Sequence, residues 1–354
     1  MKLLNRYIFR TIIAAVLMVL LVICSLEFLA KIIDELDNLK RQYTFFEVLI
    51  YAGLNIPLSV YKYMPFAALV GGLLGLGGLA TASELVIMRA AGLSFLRIII
   101  AVIKPIMVLI ALTLLLAEYV IPTAEHYAEH RRASALYGVK TALSSQSGLW
   151  NREGNEFMYF NSVQVNGKLL GVTRYRFDDK GKLLASSFAQ SAIYTDGQWQ
   201  EEDVTEVVLS EVQAQRRHYT LRSWDSELSP ALLSVLVQDS DNLSISKLHH
   251  YIAYLDQQGI ESDRYQLSFW SKVLQPLAII SLVLIAASFV FGPLREVTMG
   301  YRIFIGVVFG IVFQLTQKLL GPTSLVYGFA PVIAVLIPIL ACFLLGLFLL
   351  ARNR

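Results

Sequence analysis

Two histidines and a glutamate with the spacing of a metal site lie in the polar part of the chain. His126, Glu129 and His130 form the pattern H-x-x-E-H, which occurs in one class of zinc hydrolases. On a helix the two histidines would share a face, but a zinc site needs a third protein ligand. The other histidines are His218, His249 and His250, and no pattern places them nearby. A solvated helix is the alternative interpretation, and no metal or cofactor is expected.

A glycine-rich run at residues 71–78 is a second candidate site, because glycine-rich loops can bind phosphate. Its sequence, GGLLGLGG, lacks the lysine of a phosphate-binding loop. Gly71 and Gly75 instead have the G-x-x-x-G spacing that lets two membrane helices approach closely. The pattern G-x-x-x-x-G-K-[ST] is absent from the sequence, so if the protein does work, the energy should come from elsewhere.

The third candidate is the stretch SELVIMRAAG, residues 83–92, which has a charge near each end of an apolar segment. The spacing predicts a short helix with Leu85 and Met88 on one face. Ser83 is a candidate N-cap, and Glu84 suits the positive end of the helix dipole. Arg89 lies near the C-terminus, and Gly92 should end the helix. A helix of this length cannot span a membrane, so the alternatives are a helix flat on lipid and a plug for a groove on a partner.

The composition places these motifs in a membrane protein. Apolar residues make up 56% of the 354 residues, mean hydropathy is +0.57, and only 16% are charged, against about 25% in soluble domains. Cys24 and Cys342 both lie in apolar runs, which argues against a disulfide framework. A net charge of +3 gives no reason to expect nucleic acid as a partner.

Charge-poor windows of about 20 residues, the length that crosses a bilayer, predict a three-plus-three arrangement of transmembrane helices. The six windows are Tyr7–Ile33, Tyr63–Ala80, Ile98–Val120, Leu267–Phe291, Tyr301–Leu319 and Gly328–Ala351. The first is longer than the apolar core of a signal peptide and has no cleavage pattern after it. The predicted domains are residues 1–120, with the short helix 83–92, then 121–262 and 263–354.

Lysine and arginine in the short loops predict the orientation, because cytoplasmic loops carry the excess. The richer side holds Lys2, Arg6, Arg10, Arg89, Arg97, Arg295, Arg302, Arg352 and Arg354. Both termini and the helix 83–92 should therefore face the cytoplasm, and the long insertion should lie outside.

The insertion, residues 121–262, has the alternation of β-strands, as in VTRYRF at 172–177. Turn signals lie between the predicted strands, at Asn166-Gly167, Asp178–Gly181 and Asp196-Gly197. Their spacing predicts an antiparallel sandwich or jelly roll. Helical linkers should flank it, at Pro122–Tyr137 and at Ser244–Gln258, with Ser244 as a cap and Gly259 as the stop.

Taken together, the motifs resemble the LptF/LptG permeases, the membrane subunits of the ABC transporter that exports lipopolysaccharide. The resemblance covers nearly the whole chain and is stronger to the LptG branch than to LptF. It includes the spans with their external β-domain. The matching motifs are MPFAAL at 64–69, SELV at 83–86, YQL at 265–267, WSK at 270–272, QP at 275–276, FGPLR at 291–295, GP at 321–322 and LVYG at 325–328.

The resemblance implies a multi-pass subunit in the inner membrane of a Gram-negative bacterium, without catalysis of its own. It implies two LptB-type ATPase subunits, an LptF-type permease that completes the cavity, an LptC-type single-span protein and lipopolysaccharide as the substrate. Residues 83–92 would be the coupling helix that seats in the ATPase. The expected contact residues are Ser83, Glu84, Leu85, Met88 and Arg89.

The substrate requires an apolar cavity with cations near its outer rim. Lys31 aligns with a family lysine at the cavity mouth, where it could pair with phosphate; a snorkelling lysine is the alternative. Glu27 departs from the family pattern and should pair with Lys31, four residues on. The rim would then depend on Lys40, Arg41, Arg131 and Arg132.

Spans one and five of this family form lateral gates with the partner permease. In span five, Gly306 and Gly310 would permit a movable interface, and Phe313, Gln314 and Gln317 lie toward its outer end. A plain packed helix is the alternative. For the whole chain the alternatives are the sister LptF-type subunit, a membrane-anchored periplasmic sensor or scaffold, and a metallohydrolase built on His126, Glu129 and His130.

Overall fold

In a computed structural model of the protein, the structure describes residues 2–39, 43–137, 149–163, 168–195, 197–210, 213–226, 228–230, 232–233, 240–292 and 297–352. The chain divides into two units. The first consists of Met1–Asp37, Ala52–Glu125 and Asp263–Arg354, and the second of Asn38–Tyr51 and His126–Ser262. The second unit thus includes a short segment that precedes the second span.

Helices account for most of the described residues. They are α1 (Lys2–Leu36), α2 (Phe45–Leu54), α3 (Ile56–Thr81), α4 (Glu84–Ala90), α5 (Phe95–Leu115), α6 (Ile121–Tyr137), α7 (Ile245–Gln257), α8 (Asp263–Val273), α9 (Gln275–Phe291), α10 (Met299–Tyr327) and α11 (Pro331–Arg352). A π-helical turn, Leu116–Val120, joins α5 to α6, and a 3₁₀ turn, Ser240–Asn242, precedes α7.

The six predicted spans each correspond to a helix or a helix pair. Among the described residues, α1, α3, the stretch Leu96–Leu136, α10 and α11 are long and apolar enough to cross a membrane. The sixth span is the pair α8 and α9, which meet at an angle of 48°. Pro276, at the start of α9, cannot donate a backbone hydrogen bond to the preceding turn, which accounts for the bend.

Hydrogen bonds define the two ends of the helical unit. Arg302, near the start of α10, donates to the carbonyl of Gly77, near the end of α3, at 2.9 Å. Gln275, at the start of α9, donates to the carbonyl of Tyr61, near the start of α3, at 2.8 Å. We call the first the α4 end, because α4 follows α3 there, and the opposite one the Lys31 end.

The core of the helical unit is built around α3 and α9, both of which are mostly buried. The predicted close approach at the glycine-rich run is confirmed. A Cβ added at Gly71 would lie 2.6 Å from the Cα atom of Val16, and one at Gly75 would lie 2.8 Å from Ile12 Cδ1. Helices α1 and α3 therefore pack so closely that the crossing point has no room for a side chain.

The described β-strands of the second unit form one antiparallel sheet, which confirms an antiparallel β-domain. Their order is not that of the predicted sandwich or jelly roll. The strands are β1 (Leu149–Glu153), β2 (Glu156–Val163), β3 (Leu169–Phe177), β4 (Leu183–Thr195), β5 (Gln198–Leu209) and β6 (Ala214–Trp224). Over these described residues the strands follow one another as a six-stranded meander. Gly181 in the predicted β3–β4 turn has a φ of +77°; Asn166, Gly167 and Asp196 lie outside the described residues.

An ionic network lies on one face of this sheet. The Glu201 side chain is fully buried, and its two oxygens accept from Arg174 Nη1 at 3.2 Å and from Arg222 Nη2 at 2.7 Å. The Arg174 guanidinium also lies 4.6 Å from the centre of the Trp224 ring. A buried carboxylate is tolerated because two guanidinium groups satisfy it.

The helical linkers beside the sheet match the prediction. Helix α6 covers the first linker, and α7 covers the second. The Ser244 hydroxyl accepts a hydrogen bond from the amide of Lys247 at 3.2 Å, as expected of an N-cap. Gly259, with a φ of +64°, follows the end of α7.

Candidate functional site

Helix α4 begins differently from the prediction. Ser83 has a left-handed backbone, with a φ of 59°, and its side chain makes no capping hydrogen bond. Instead, the carbonyl oxygen of Ser83 accepts from the amide of Ile87 at 3.1 Å, and the amide of Ser83 donates to the carbonyl oxygen of Ala80 at 3.0 Å. The expected side-chain cap is therefore wrong. The backbone of Ser83 forms part of the tight turn after α3, and this turn determines where α4 starts.

The C-terminal end of α4 follows the prediction. Gly92 has a φ of +87°, which glycine adopts without strain. Its amide donates to the carbonyl oxygen of Arg89 at 3.0 Å, and the amide of Leu93 donates to the carbonyl oxygen of Met88 at 3.2 Å. These backbone bonds close the last turn of the helix, so both ends of α4 are fixed.

The face of α4 that packs against the bundle is the one predicted to meet a partner. Leu85 is 4% exposed and Met88 is 6% exposed, and both belong to the core of the helical unit. Val86 and Ile87 are 54% and 65% exposed. The surface that α4 presents is therefore Val86, Ile87 and the exposed Arg89, while Leu85 and Met88 anchor the helix.

The carboxylate of Glu84 has a partner in the same chain. The Tyr7 hydroxyl, on α1, donates to Glu84 Oε1 at 3.1 Å. Both groups border a cleft of about 500 Å³ between α1, α3 and α10. This contact was not predictable from local patterns, because 77 residues separate the two side chains along the chain.

At the Lys31 end, Glu27 and Lys31 contact α3 and the residue before it. The Tyr63 hydroxyl donates to Glu27 Oε2 at 2.9 Å, and the Lys31 ammonium donates to the side-chain oxygen of Asn55. The predicted pairing of Glu27 with Lys31 is thus replaced by two bonds that join α1 to α3. Asn55 is buried, so it fixes the position of the Lys31 ammonium.

Other predicted rim cations fall in the second unit or outside the described residues. Arg131 donates to both carboxylate oxygens of Glu47, at 2.6 and 3.0 Å, and these bonds lower the pKa of Glu47. Arg132 lies 5.3 Å from the Tyr51 ring centre and 3.9 Å from Glu129. Since Arg131 is neutralised by an ion pair, it is a poorer phosphate ligand than the sequence suggested. Lys40 and Arg41 lie outside the described residues.

Gly306 and Gly310 of α10 face the interior of their own chain. A Cβ at Gly310 would lie 2.6 Å from the Phe66 ring, and one at Gly306 would clash with Leu73. Phe313 is buried, and Gln314 and Gln317 are half-buried. Gly306 and Gly310 therefore pack α10 against α3. The outward face of α10 is formed by large apolar residues, among them Phe304, Val308, Val312 and Leu315.

The histidine motif has a polar partner that the sequence did not suggest. Glu129 Oε1 accepts from the Tyr51 hydroxyl at 2.7 Å. Within the described parts of the chain, no group of three or more His, Cys, Asp or Glu side chains is arranged to hold a metal ion. The geometry therefore gives no support to a zinc site at His126, Glu129 and His130.

Sequence reasoning also missed a buried cation. The side chain of Arg302 is 3% exposed, and its Nη1 donates to the Gly77 carbonyl at 2.9 Å and to Thr81 Oγ1 at 3.1 Å. The orientation prediction treated Arg302 as a charge of a short loop, although this residue lies inside α10. An arginine four residues into an apolar helix was the available signal.

Comparison with known proteins decides the family. A family model described as "Lipopolysaccharide export system permease LptF/LptG" matches residues 6–352. The chain belongs to the LptF/LptG permease family. Among its LptF/LptG relatives, the lipopolysaccharide export system permease protein LptG of Escherichia coli (strain K12) is 38% identical, over 99% of this chain and 98% of that protein. The LptG protein of Haemophilus influenzae (strain Rd) is 34% identical, over 99% of both chains.

Proposed function

We propose that the protein is the LptG-type permease subunit of the ABC transporter that extracts lipopolysaccharide from the inner membrane. Whole-chain similarity to two proteins named LptG carries the choice of this branch over LptF. Helix α4 adds a physical reason: it is fixed at both ends, anchored by Leu85 and Met88, and exposes an apolar surface. A sensor or scaffold would not need such a helix.

In this proposal the chain has no catalytic activity, and ATP is hydrolysed in two LptB-type subunits. Helix α4 faces the cytoplasm, since the loops on its side of the membrane are richer in Lys and Arg. Val86 and Ile87 would enter a groove of the ATPase, with Glu84 facing a basic group. Because α4 is packed rather than loose, movement of the ATPase would displace the bundle instead of being absorbed.

Lipopolysaccharide would enter a cavity between this chain and an LptF-type permease, and an LptC-type protein would receive it in the periplasm. The exposed apolar faces of α1 and α10 suit both the acyl chains and the partner permease. Lys31, positioned by Asn55, would pair with a phosphate of the head group.

Purification in mild detergent followed by reconstitution tests this function. The protein should bring along a cytoplasmic ATPase and a second permease, and vesicles holding the complex should release lipopolysaccharide to a soluble acceptor when ATP is added. Vesicles holding this chain alone should release none. Release by the chain alone, or purification without any ATPase, would refute the proposal.

Replacing Lys31 with glutamate should reduce lipid capture without preventing assembly. A photo-crosslinking residue at the adjacent, exposed Ala30 reports the capture. We expect about tenfold less crosslinked lipopolysaccharide, because a charge-assisted hydrogen bond is replaced by repulsion.

Lys31→Arg should keep most of the crosslink, since it keeps the charge. Lys180→Glu makes the same charge change in the exposed β3–β4 turn and should have no effect. Equal capture by Lys31→Glu and the unsubstituted protein would remove Lys31 from the binding site.

A further inference from the structure

The junction between α3 and α4 is hydrogen-bonded to two other long helices. On one side, the Tyr7 hydroxyl of α1 donates to Glu84 at 3.1 Å. On the other, Arg302 of α10 donates to Gly77 and Thr81 in the last turns of α3, at 2.9 and 3.1 Å. The first contact is made by α4 itself, and the second lies in the last two turns before it. Helix α4 is the one that would meet the ATPase.

The Arg302 contact has the properties of a stiff connection. Its guanidinium is almost completely buried, and it meets the carbonyl end of α3, where the helix dipole favours a cation. A Cβ on Gly77 would lie 3.2 Å from Arg302 Nη1, so a side chain at this position would crowd the guanidinium. Separating a buried cation from its acceptors is costly, and α3 and α10 should therefore move together at this end.

The two connected helices are also those with the least packing inside their own chain. Fewer residues are buried in α1 and α10 than in the other spans, whereas α3 is mostly buried. Exposed side chains run along both, including Met18, Leu21 and Leu26 on α1 and Val312 and Leu315 on α10. A tilt of either helix about its contact with α3 would therefore break few contacts on these outward faces.

The cleft at the α4 end supplies space for such a shift. Its volume is about 500 Å³, and its lining includes Thr11 and Met18 from α1, Gly75 and Gly78 from α3, and Ile303 from α10. The lining from α3 also includes Leu74 and Leu79, and the open space lies beside α3, where a tilt of α1 or α10 would be accommodated. Because α1 is one continuous helix, a tilt at Tyr7 moves Lys31, which lies roughly 36 Å away at 1.5 Å per residue.

We propose that Tyr7 and Arg302 are positioning residues that transmit displacement of α4 into α1 and α10. This inference rests on the proposed coupling function of α4. Neither side chain touches nucleotide or lipid in this mechanism. Tyr7 connects Glu84 to the helix that carries Lys31, and Arg302 connects the end of α3 to α10, so that one movement of α4 shifts both walls of the cleft.

The test compares Tyr7→Phe and Arg302→Lys in the reconstituted complex with its ATPase. We expect the ATPase to copurify in normal ratio and hydrolyse ATP, while lipopolysaccharide released per ATP falls by about tenfold, the size of one hydrogen bond to a charged group. Tyr301→Phe removes the same atom from an exposed neighbour on α10, and Arg352→Lys changes an exposed arginine. Both controls should transport normally.

A distance measurement separates transmission from a merely structural role. Spin labels at the exposed positions Leu29 on α1 and Leu319 on α10, in a protein whose Cys24 and Cys342 are replaced, report on helix movement. ATP should change the distance between the labels in the parent protein, and Tyr7→Phe should abolish most of that change.

Unchanged transport per ATP in both variants would overturn the inference, as would an unchanged label response in Tyr7→Phe. Loss of the ATPase from Tyr7→Phe would also overturn it, by assigning the residue to assembly. If the parent protein brings no ATPase, the proposed function fails instead. Should Arg302→Lys not fold, Tyr7→Phe, which removes one oxygen atom from a partly exposed side chain, decides the matter.

Discussion

Replacing Glu84 with arginine should detach the ATPase from the complex, or leave it bound but unable to drive transport. The substitution puts a cation at the N-terminus of α4, where the helix dipole favours an anion. It also removes the acceptor of the Tyr7 hydroxyl bond and places like charges together if the ATPase groove is basic. ATP-driven lipid release should fall more than about tenfold, since like-charge juxtaposition costs several kcal/mol, and copurified ATPase should fall with it if the ATPase detaches.

Glu84→Gln is the matched control for this substitution. The amide keeps an oxygen that can accept from Tyr7 and removes only the charge, so it should weaken ATPase binding less than arginine does. The pattern also differs from that of Tyr7→Phe, which should keep the ATPase bound. If Glu84→Arg copurifies the ATPase and transports as the parent protein does, α4 is not the coupling helix.

Adding a methyl group at Gly71 should destabilise the helical unit. The Cβ of Gly71→Ala would lie 2.6 Å from the Cα atom of Val16, and a backbone atom cannot rotate away. Helices α1 and α3 would have to separate, at a cost of about 1–3 kcal/mol for overpacking. Thermal unfolding in detergent should show a melting temperature lower by roughly 2–6 °C.

Gly300→Ala provides the comparison, because it makes the same change in the first turn of α10 with nothing within 4 Å. Alanine favours a helix over glycine by about 1 kcal/mol, so this variant should be as stable as the parent protein or more so. Equal stability of Gly71→Ala and Gly300→Ala would show that the crossing of α1 and α3 is looser than the structure has it.

Local patterns were enough to predict the spans, the position of α4 and the caps that depend on neighbouring residues. Gly92 ends α4, and Ser244 caps α7, because both effects are confined to one helical turn. The left-handed Ser83 was not predictable, because the preceding helix sets its conformation. The seven residues of α4 are also apolar on both faces, so only packing against the bundle decides that Leu85 is buried and Ile87 exposed.

Contacts between distant residues account for the remaining differences. The sequence paired Glu27 with Lys31 by helical spacing, but Tyr63 and Asn55 become their partners once α1 and α3 are adjacent. The glycines of α10 were correctly noted as small, yet which helix they face depends on the arrangement of the whole bundle. Arg302 was assigned to a loop by its charge, and only the fold provides its buried acceptors.

The placement of Glu201 between Arg174 and Arg222 has a consequence for the assembly of the sheet. The three side chains come from β3, β5 and β6, and the carboxylate is fully buried. Until β6 has been synthesised and has docked, Glu201 lacks one of its two counter-charges, and a buried carboxylate with incomplete pairing is strongly unfavourable. Strand β6 should therefore be required for stable folding of the strands before it, and the sheet should form cooperatively. A stable, partly folded sheet with unpaired strand edges open to aggregation should not accumulate.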